Sequence, residues 1–310
     1  MNYLKIISVG IVLSSAGLFA QDSSGVRMVG QAFPQWAETF DMEISDDVLF
    51  VANGRLDIID VSNPENPDYI WYSNRLGYCN QVEVIGDRAY VTTGYLGEIQ
   101  FYVLDISDLA NPQILGKLEE DHVSPLQLKV SGNIAYIISH HSVRIYDFSE
   151  PEDIMNIAVI DSTVDFMEVD IERNYLFGYD PGDGLRIIDV SDPASPRQVN
   201  FFPYHIHITD FSYANQKIFL FVSTYRNYGV TILDVQDVMN IDSLNHIPIY
   251  NREGGVISVQ DSILLTSSYG SICSYNVSDM ENPIRTGRSN IGASCIAVND
   301  LLMFVRSGQQ

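Results

Sequence analysis

A short apolar strand that ends in an acidic turn recurs along this chain at a nearly constant interval. In the clearest copy, residues 185–190 are largely apolar and rich in β-branched side chains, and Ser191-Asp192-Pro193 follows. β-branched residues favour a pleated backbone, whereas Ser, Asp and Pro favour a turn that ends the strand. Because such a strand is apolar on both faces, it needs a covering layer on each side.

The chain contains six copies of this motif. The intervals between the acids are 45, 42, 42, 45 and 42 residues, and Asn276 replaces the acid in the last copy. A period of about 40–50 residues made of short strands is typical of β-structure repeated around an axis. The repeat acids are Asp60, Asp105, Asp147, Asp189 and Asp234.

The strand followed by Asp-Val-Ser-Asp-Pro resembles the LVIVD repeat, found in exported bacterial and archaeal proteins and expected to form β-propeller blades. The resemblance covers nearly all of the chain after the first 20 residues. It implies an all-β propeller fold. It implies no activity, because the family shares none.

One repeat reads as four short strands separated by Gly, Asp, Asn and Pro, which is the pattern of a four-stranded antiparallel blade. The last repeat lacks its Asp-Val-Ser copy, while residues 26–33 resemble the strand that usually follows that motif. We therefore expect seven blades, with the N- and C-terminal strands sharing the last one, which is short of a strand. Six blades are the alternative.

The first 20 residues have the composition of a secretory leader, with Lys5, an apolar run and a small residue, Ala20, at the expected cut. The apolar run is shorter than the roughly 20 residues of a membrane-spanning helix. We expect residues 1–20 to be a signal peptide and residues 21–310 to be a single propeller domain. The protein would then be exported to the periplasm, the cell surface or the medium, with no transmembrane segment after cleavage.

The formal net charge of −23 argues against nucleic acid and anionic membranes as partners, because like charges repel. It suits a soluble exported protein. We expect a monomer whose partner is a protein or a carbohydrate at the cell surface. Cys79, Cys273 and Cys295 lie in different repeats without a Cys-x-x-Cys spacing. We interpret them as small buried apolar residues rather than as a disulfide or a zinc site.

Histidine and tyrosine are concentrated in two sets of predicted loops: those between the second and third strands, and those that enter the next blade. In a propeller both sets lie on one face. Such residues on a rigid scaffold indicate a ligand site, and mutual packing of the rings is the alternative. Trp36, Tyr78 and Asp165 lie on the same loops. The predicted ligand-binding residues are Tyr95, His122, His140, His141, Tyr179, Asp180, His205, His207, Tyr225, Tyr228 and Tyr269.

A divalent metal is the more specific hypothesis for this face, although we predict no cofactor. His205 and His207 are two residues apart, so an extended backbone places both imidazoles on one side. Together with His140, His141 or Asp180 they could bind a divalent ion. The protein would then be a metal-assisted hydrolase or lyase acting on an extracellular polymer. No enzyme signature occurs in the sequence, so we favour a binding scaffold.

The repeat acids invite a catalytic interpretation, which we reject. A residue that occurs once per blade has a function once per blade, and the simplest is to accept amide hydrogen bonds at the strand end. Asn276 can do the same with its side-chain oxygen, but it cannot transfer a proton as a carboxylate does. We therefore predict a structural role for all five acids.

Overall fold

The computed structural model of the protein describes residues 4–9, 26–32, 39–63, 66–94, 98–121, 125–139, 142–161, 166–170, 173–180, 184–203, 207–223, 228–249, 255–268, 271–289, 295–298 and 302–306. Every regular element in these ranges is a β-strand, which confirms the all-β prediction. A search of the same ranges finds no helix that is long and apolar enough to cross a membrane.

The strands form four-stranded sheets arranged as propeller blades. Six of these blades are antiparallel and each is built from four consecutive strands. The strands in chain order are β1 (Leu4–Val9), β2 (Val26–Ala32), β3 (Asp41–Ser45), β4 (Val48–Ala52), β5 (Leu56–Asp60), β6 (Asp68–Tyr72), β7 (Cys79–Ile85), β8 (Arg88–Thr93), β9 (Glu98–Asp105), β10 (Gln113–Asp121), β11 (Pro125–Ser131), β12 (Ile134–Ser139), β13 (Ser142–Asp147), β14 (Met155–Asp161), β15 (Phe166–Asp170), β16 (Tyr175–Asp180), β17 (Gly184–Asp189), β18 (Arg197–Pro203), β19 (Ile208–Ala214), β20 (Lys217–Ser223), β21 (Tyr228–Asp234), β22 (Asp242–Pro248), β23 (Val256–Gln260), β24 (Ile263–Ser268), β25 (Ser271–Asn276), β26 (Ile284–Ser289), β27 (Cys295–Val298) and β28 (Leu302–Arg306).

The blade count corrects the prediction. Strands β3 to β26 form six regular blades, which matches the alternative, and a seventh blade of the same kind is not supported. The terminal strands do share a sheet, in the order β2-β1-β28-β27, and β27 contacts β23 and β3. However, β1 pairs in parallel with both of its neighbours. This sheet therefore does not repeat the antiparallel blade, because no Asp-Val-Ser strand is present to take the third position.

The hydrophobic core lies between neighbouring blades rather than inside one sheet. Between the first two blades, Leu56 and Ile58 of β5 pack in one buried cluster with Ala89 and Val91 of β8. Similar clusters join the following blades in turn. Full burial of one such aliphatic side chain contributes about 1.5–3 kcal/mol. This arrangement supplies the two-sided cover that the repeated strand requires.

The first strands of successive blades contact one another and so surround the propeller axis. Their free edges, which face the axis, would expose unpaired N–H groups, and carboxylates of the preceding blade accept hydrogen bonds from some of them. Asp41 accepts from the Val82 amide at 3.0 Å, and Met42 donates to the same carboxylate at 3.0 Å. Burial raises the pKa of Asp41 to about 6. Two further links join Val130 to Glu83 at 2.8 Å and Ile257 to Asp210 at 2.7 Å.

Each repeat acid accepts a hydrogen bond from the backbone N–H two residues later, as the structural interpretation requires. The six N···O distances, including that of Asn276, lie between 2.8 and 3.0 Å. The residue in between is buried, and its amide donates to the turn that joins the first two strands, as from Val190 to Asn174 at 2.9 Å. The motif thus pins the end of the third strand to the first hairpin of its own blade.

We expect Asp189→Asn to leave the melting temperature nearly unchanged and Asp189→Leu to lower it by several degrees. Asparagine keeps an oxygen for the Ser191 amide, whereas leucine removes the acceptor, which costs about 1 kcal/mol or roughly 2–4 °C. Thermal unfolding followed by circular dichroism measures both variants against the unmodified protein. Equal, small shifts for the two variants would contradict the hydrogen-bonding role.

Candidate binding surface

Most of the predicted ligand residues lie outside the described part of the chain. The described candidates are Tyr179, His207 and Tyr228, together with the backbone of Asp180 at the end of β16. The candidates outside the described residues are Tyr95, His122, His140, His141, His205, Tyr225 and Tyr269. A site that combines these histidines and tyrosines therefore stays a prediction.

The described candidates occupy different environments. Tyr179 is fully buried and packs in one cluster with Leu185 and Ile208, so its place in the fold is a packing position between blades. Tyr228 is half-buried at the start of β21, and its carbonyl accepts the Ile249 amide at 2.9 Å. His207 is exposed beside the start of β19, where its carbonyl accepts the Ser223 amide at 2.9 Å.

The metal hypothesis also stays a prediction. Within the described ranges, no group of three or more His, Cys, Asp or Glu side chains could hold a metal ion. His205, the proposed partner of His207, is not among the residues searched.

The best-defined surface of side chains on the loop face lies on the first blade and at its junction with the second. Phe40, Tyr72 and Tyr78 are 38, 46 and 37% exposed, and the side chain of Arg55 is 37% exposed. Strand ends bring them together: Phe40 precedes β3, Arg55 precedes β5, Tyr72 ends β6 and Tyr78 precedes β7. We call these four residues the aromatic surface.

One half of the aromatic surface is a ring pair supported by a glycine. The centroids of Phe40 and Tyr78 are 5.2 Å apart, with the rings tilted by 57°. Tyr78 also lies against Gly54, where an added Cβ would stand 3.4 Å from its ring. Gly54 has φ of +89°, a conformation that favours glycine, and its amide donates to the Cys79 carbonyl at 3.0 Å. The backbone therefore sets the position of Tyr78.

The other half is an arginine held over a tyrosine. The guanidinium carbon of Arg55 lies 4.4 Å from the ring centroid of Tyr72, which is cation–π geometry. Arg55 Nε donates at 2.6 Å to Asp57, a fully buried carboxylate. Asp57 also accepts from Asn53 Nδ2 at 2.7 Å and from the Tyr69 hydroxyl at 3.4 Å. Because several donors hold the carboxylate, the guanidinium paired with it is held in position over the Tyr72 ring.

Amide side chains border the aromatic surface on the second blade. Asn80 Oδ1 accepts from the Thr92 hydroxyl at 2.9 Å, which leaves its Nδ2 without a partner among the described residues. Gln100 Oε1 accepts from the Tyr102 hydroxyl at 2.7 Å. The 73–79 connection runs close to Gln100, because a Cβ at Gly77 would lie 3.9 Å from its Oε1. The border thus supplies hydrogen-bonding groups beside the rings.

The two described cysteines are packing residues. Cys79 and Cys273 are free and buried. Burial raises the pKa of the Cys79 thiol to about 12 and also raises that of Cys273, so neither is a thiolate at neutral pH. This agrees with the interpretation from sequence, while the side chain of Cys295 lies outside the described residues.

The sequence prediction placed Tyr78 on the loop face but missed Phe40, Arg55 and Tyr72. Phe40 directly precedes a strand and Tyr72 ends one, so the sequence pattern assigns both to strands rather than to loops. The available signal was an aromatic residue directly before the inner strand in two consecutive repeats, Phe40 before β3 and Tyr78 before β7. Arg55 had no signal, because its position depends on Asp57 being buried.

Comparisons with known proteins agree with this fold. Residues 38–70, 76–119 and 165–201 match the LVIVD repeat, and no curated protein matches the chain. The Kuenenia stuttgartiensis hydrazine synthase structure is similar with a TM-score of 0.66 at 13% identity, covering 86% of this chain and 91% of that chain. A mitotic checkpoint complex chain gives 0.62 at 10% identity, with 83 and 82% covered. The computationally designed Ika8 protein gives 0.61 at 11% identity, with 86 and 79% covered. At these identities the likeness concerns the fold alone.

Proposed function

We propose that this protein, a β-propeller built from LVIVD repeats, is an exported binding scaffold that engages its partner through the loop face. The observation that carries the proposal is the cluster of exposed rings in the aromatic surface. Aromatic and arginine side chains are enriched at binding sites, and aromatic rings bury much area at little cost in side-chain entropy. Because these side chains already have defined positions, binding costs less side-chain entropy.

Export is supported by the leader-like composition of residues 1–20, and the strongly acidic character of the chain suits it. Cleavage after residue 20 would remove β1 (Leu4–Val9), whose pairing with β2 and β28 belongs to the uncleaved chain. Placement outside the cytoplasm would bring the loop face into contact with envelope components or extracellular polymers. The alternative of a metal-assisted hydrolase or lyase gains no supporting observation from the described residues.

The test is retention of the purified protein on the cell-envelope fraction of the producing organism. We expect the double variant Tyr72→Ala/Tyr78→Ala to be retained at least about tenfold more weakly, since 1.4 kcal/mol of lost contact corresponds to a factor of ten. Met155→Ala is the matched control, because Met155 is an exposed apolar residue on β14, away from the loop-face ends of the strands. Melting temperatures of all variants check the fold.

Equal retention of the unmodified protein and the double variant would overturn the proposal, as would an equal loss in the Met155→Ala control. The intact mass of the exported protein shows separately whether residues 1–20 are removed.

A further inference from the structure

We infer that the aromatic surface is a subsite for a neutral glycan, whose sugar rings stack on Tyr78 and Tyr72. The inference rests on the proposed function, because it names the ligand class for the same surface. The face of an aromatic ring carries partial negative charge, and the C–H groups on the flat side of a pyranose carry partial positive charge. A sugar therefore presents both an apolar face for the ring and hydroxyls for the groups around it.

The size of the surface favours a small repeating unit over a protein. A stable protein–protein interface takes about 20–30 residues from each partner and about 800 Å² per side. Among the described residues, the aromatic surface consists of four side chains, each only about 40% exposed. That area suits one or two sugar units, and a polymer can raise the overall affinity by engaging the surface repeatedly along its length.

The charge of the surface favours a neutral ligand. The Arg55 guanidinium is paired with Asp57, so this pair adds little net charge. Arg75 is exposed on the connection that carries Tyr78, but the net charge of −23 opposes a polyanion at longer range. The same net charge would attract a polycation at longer range, but Asp57, the carboxylate beneath the four side chains, is fully buried and paired with Arg55, so it offers a cation no accessible contact. A neutral ligand is not repelled by the net charge and does not need an accessible carboxylate.

Hydrogen-bonding groups stand where a stacked sugar would direct its hydroxyls. Asn80 follows Tyr78 by two residues on β7, Gln100 lies close to Gly77 of the 73–79 connection, and Arg55 lies beside Tyr72. The Asn80 amide can donate to a sugar hydroxyl, whereas the Gln100 amide already bonds to Tyr102 and Glu119 and would have to exchange one of these bonds. Rings with an amide border thus match a ligand that is apolar on its faces and polar around its rim.

The experiment measures binding of the full chain to soluble oligosaccharides of equal length by titration calorimetry. The probes are neutral gluco-, manno- and N-acetylglucosamine oligomers and, as the anionic arm, oligogalacturonate. We expect at least one neutral oligomer to bind, with little change when salt is raised. Tyr78→Ala should weaken it about tenfold, whereas Tyr78→Phe keeps the ring and should stay close to the unmodified protein. Met155→Ala serves as the surface control.

Three results would overturn the inference: binding of the oligogalacturonate alone, with strong salt dependence; equal binding by the unmodified protein and Tyr78→Ala; or no binding of any neutral oligomer. Envelope retention separates this failure from that of the proposed function. If retention depends on Tyr72 and Tyr78 but is abolished by protease treatment of the envelope and unaffected by neutral oligomers, the partner is a protein. The binding scaffold then stands and the glycan does not.

Discussion

Replacing Gly116 with alanine is expected to lower the melting temperature of the protein by about 6–12 °C, the largest stability effect of any single methyl group considered. A Cβ at Gly116 would stand only 1.7 Å from the Pro151 carbonyl oxygen of the next blade. The obstacle is backbone, so neither side can rotate away. Overpacking of this kind costs about 3 kcal/mol, and each kcal/mol corresponds to roughly 2–4 °C in a chain of this size class.

Thermal and denaturant unfolding measure the effect, and Gly86→Ala is the matched control. No atom lies within 4 Å of a Cβ at Gly86, whose φ of +58° is strained for alanine. Gly116 has no such φ, so Gly86→Ala carries a backbone penalty of its own and no steric clash, and we expect its shift in melting temperature to be the smaller of the two. Equal shifts in melting temperature at the two positions would show that the second and third blades are not in tight contact at Gly116.

Asp57→Ala is expected to destabilise the first blade by about 1–3 kcal/mol, the cost of leaving buried donors without an acceptor, because Asp57 is fully buried whereas Arg55 is 37% exposed and stays hydrated. Arg55 Nε, Asn53 Nδ2 and the Tyr69 hydroxyl all lose their acceptor at once. Arg55 would also be released from its position over Tyr72. The variant should therefore melt earlier and, where it remains folded, bind more weakly through the aromatic surface.

Asp57→Asn is the control, since it keeps the shape of the side chain and one acceptor oxygen. Its melting temperature should lie between those of the unmodified protein and Asp57→Ala. Thermal unfolding gives the stability, and envelope retention at a temperature where all variants are folded gives the binding. An Asp57→Ala protein with an unchanged melting temperature would contradict the structural role of the buried carboxylate.

The repeated motif was enough to predict the propeller, because a doubly apolar strand followed by an acid has few ways to be covered and ended. The role of the repeat acids followed from the same reasoning, and each makes the expected hydrogen bond in the structure. The register of the fourth strand against the third could not be predicted from the motif. All six regular blades contain an irregularity there, such as the one between Ile187 and Ile188, and no local turn residue announces it.

The number of blades was harder to predict than their form. Six motifs give six regular blades, and the seventh was inferred from fragments at the two ends. Those segments contain no third strand of the repeat type, so pairing between chain ends, rather than local sequence, decides what they form. Tertiary pairing of this kind is set by the whole ring and leaves no periodic signal in the chain.

The candidate surface was only partly predictable for a different reason. Tyr78 lies on a loop, and loop residues of unusual type stand out in a sequence. Arg55 and Tyr72 form part of the surface because Asp57 is buried beneath them, and burial of a carboxylate cannot be read from its neighbours in sequence. Conversely, Tyr179 looked like a loop residue and lies in the core, because β16 continues through it.

The propeller ring has a direction, which follows from how the described blades are joined. Side chains of one blade bond to the main chain of the blade after it: Asp41 to Val82, Glu83 to Val130 and Asn200 to Val238. Every residue except proline has the same main-chain groups, so the receiving blade can change its sequence to any other residue without losing the joint. The side chains that bond to the next blade are therefore constrained, whereas the residues whose main chain accepts or donates these bonds can vary. A single blade can thus acquire surface residues that the other repeats lack.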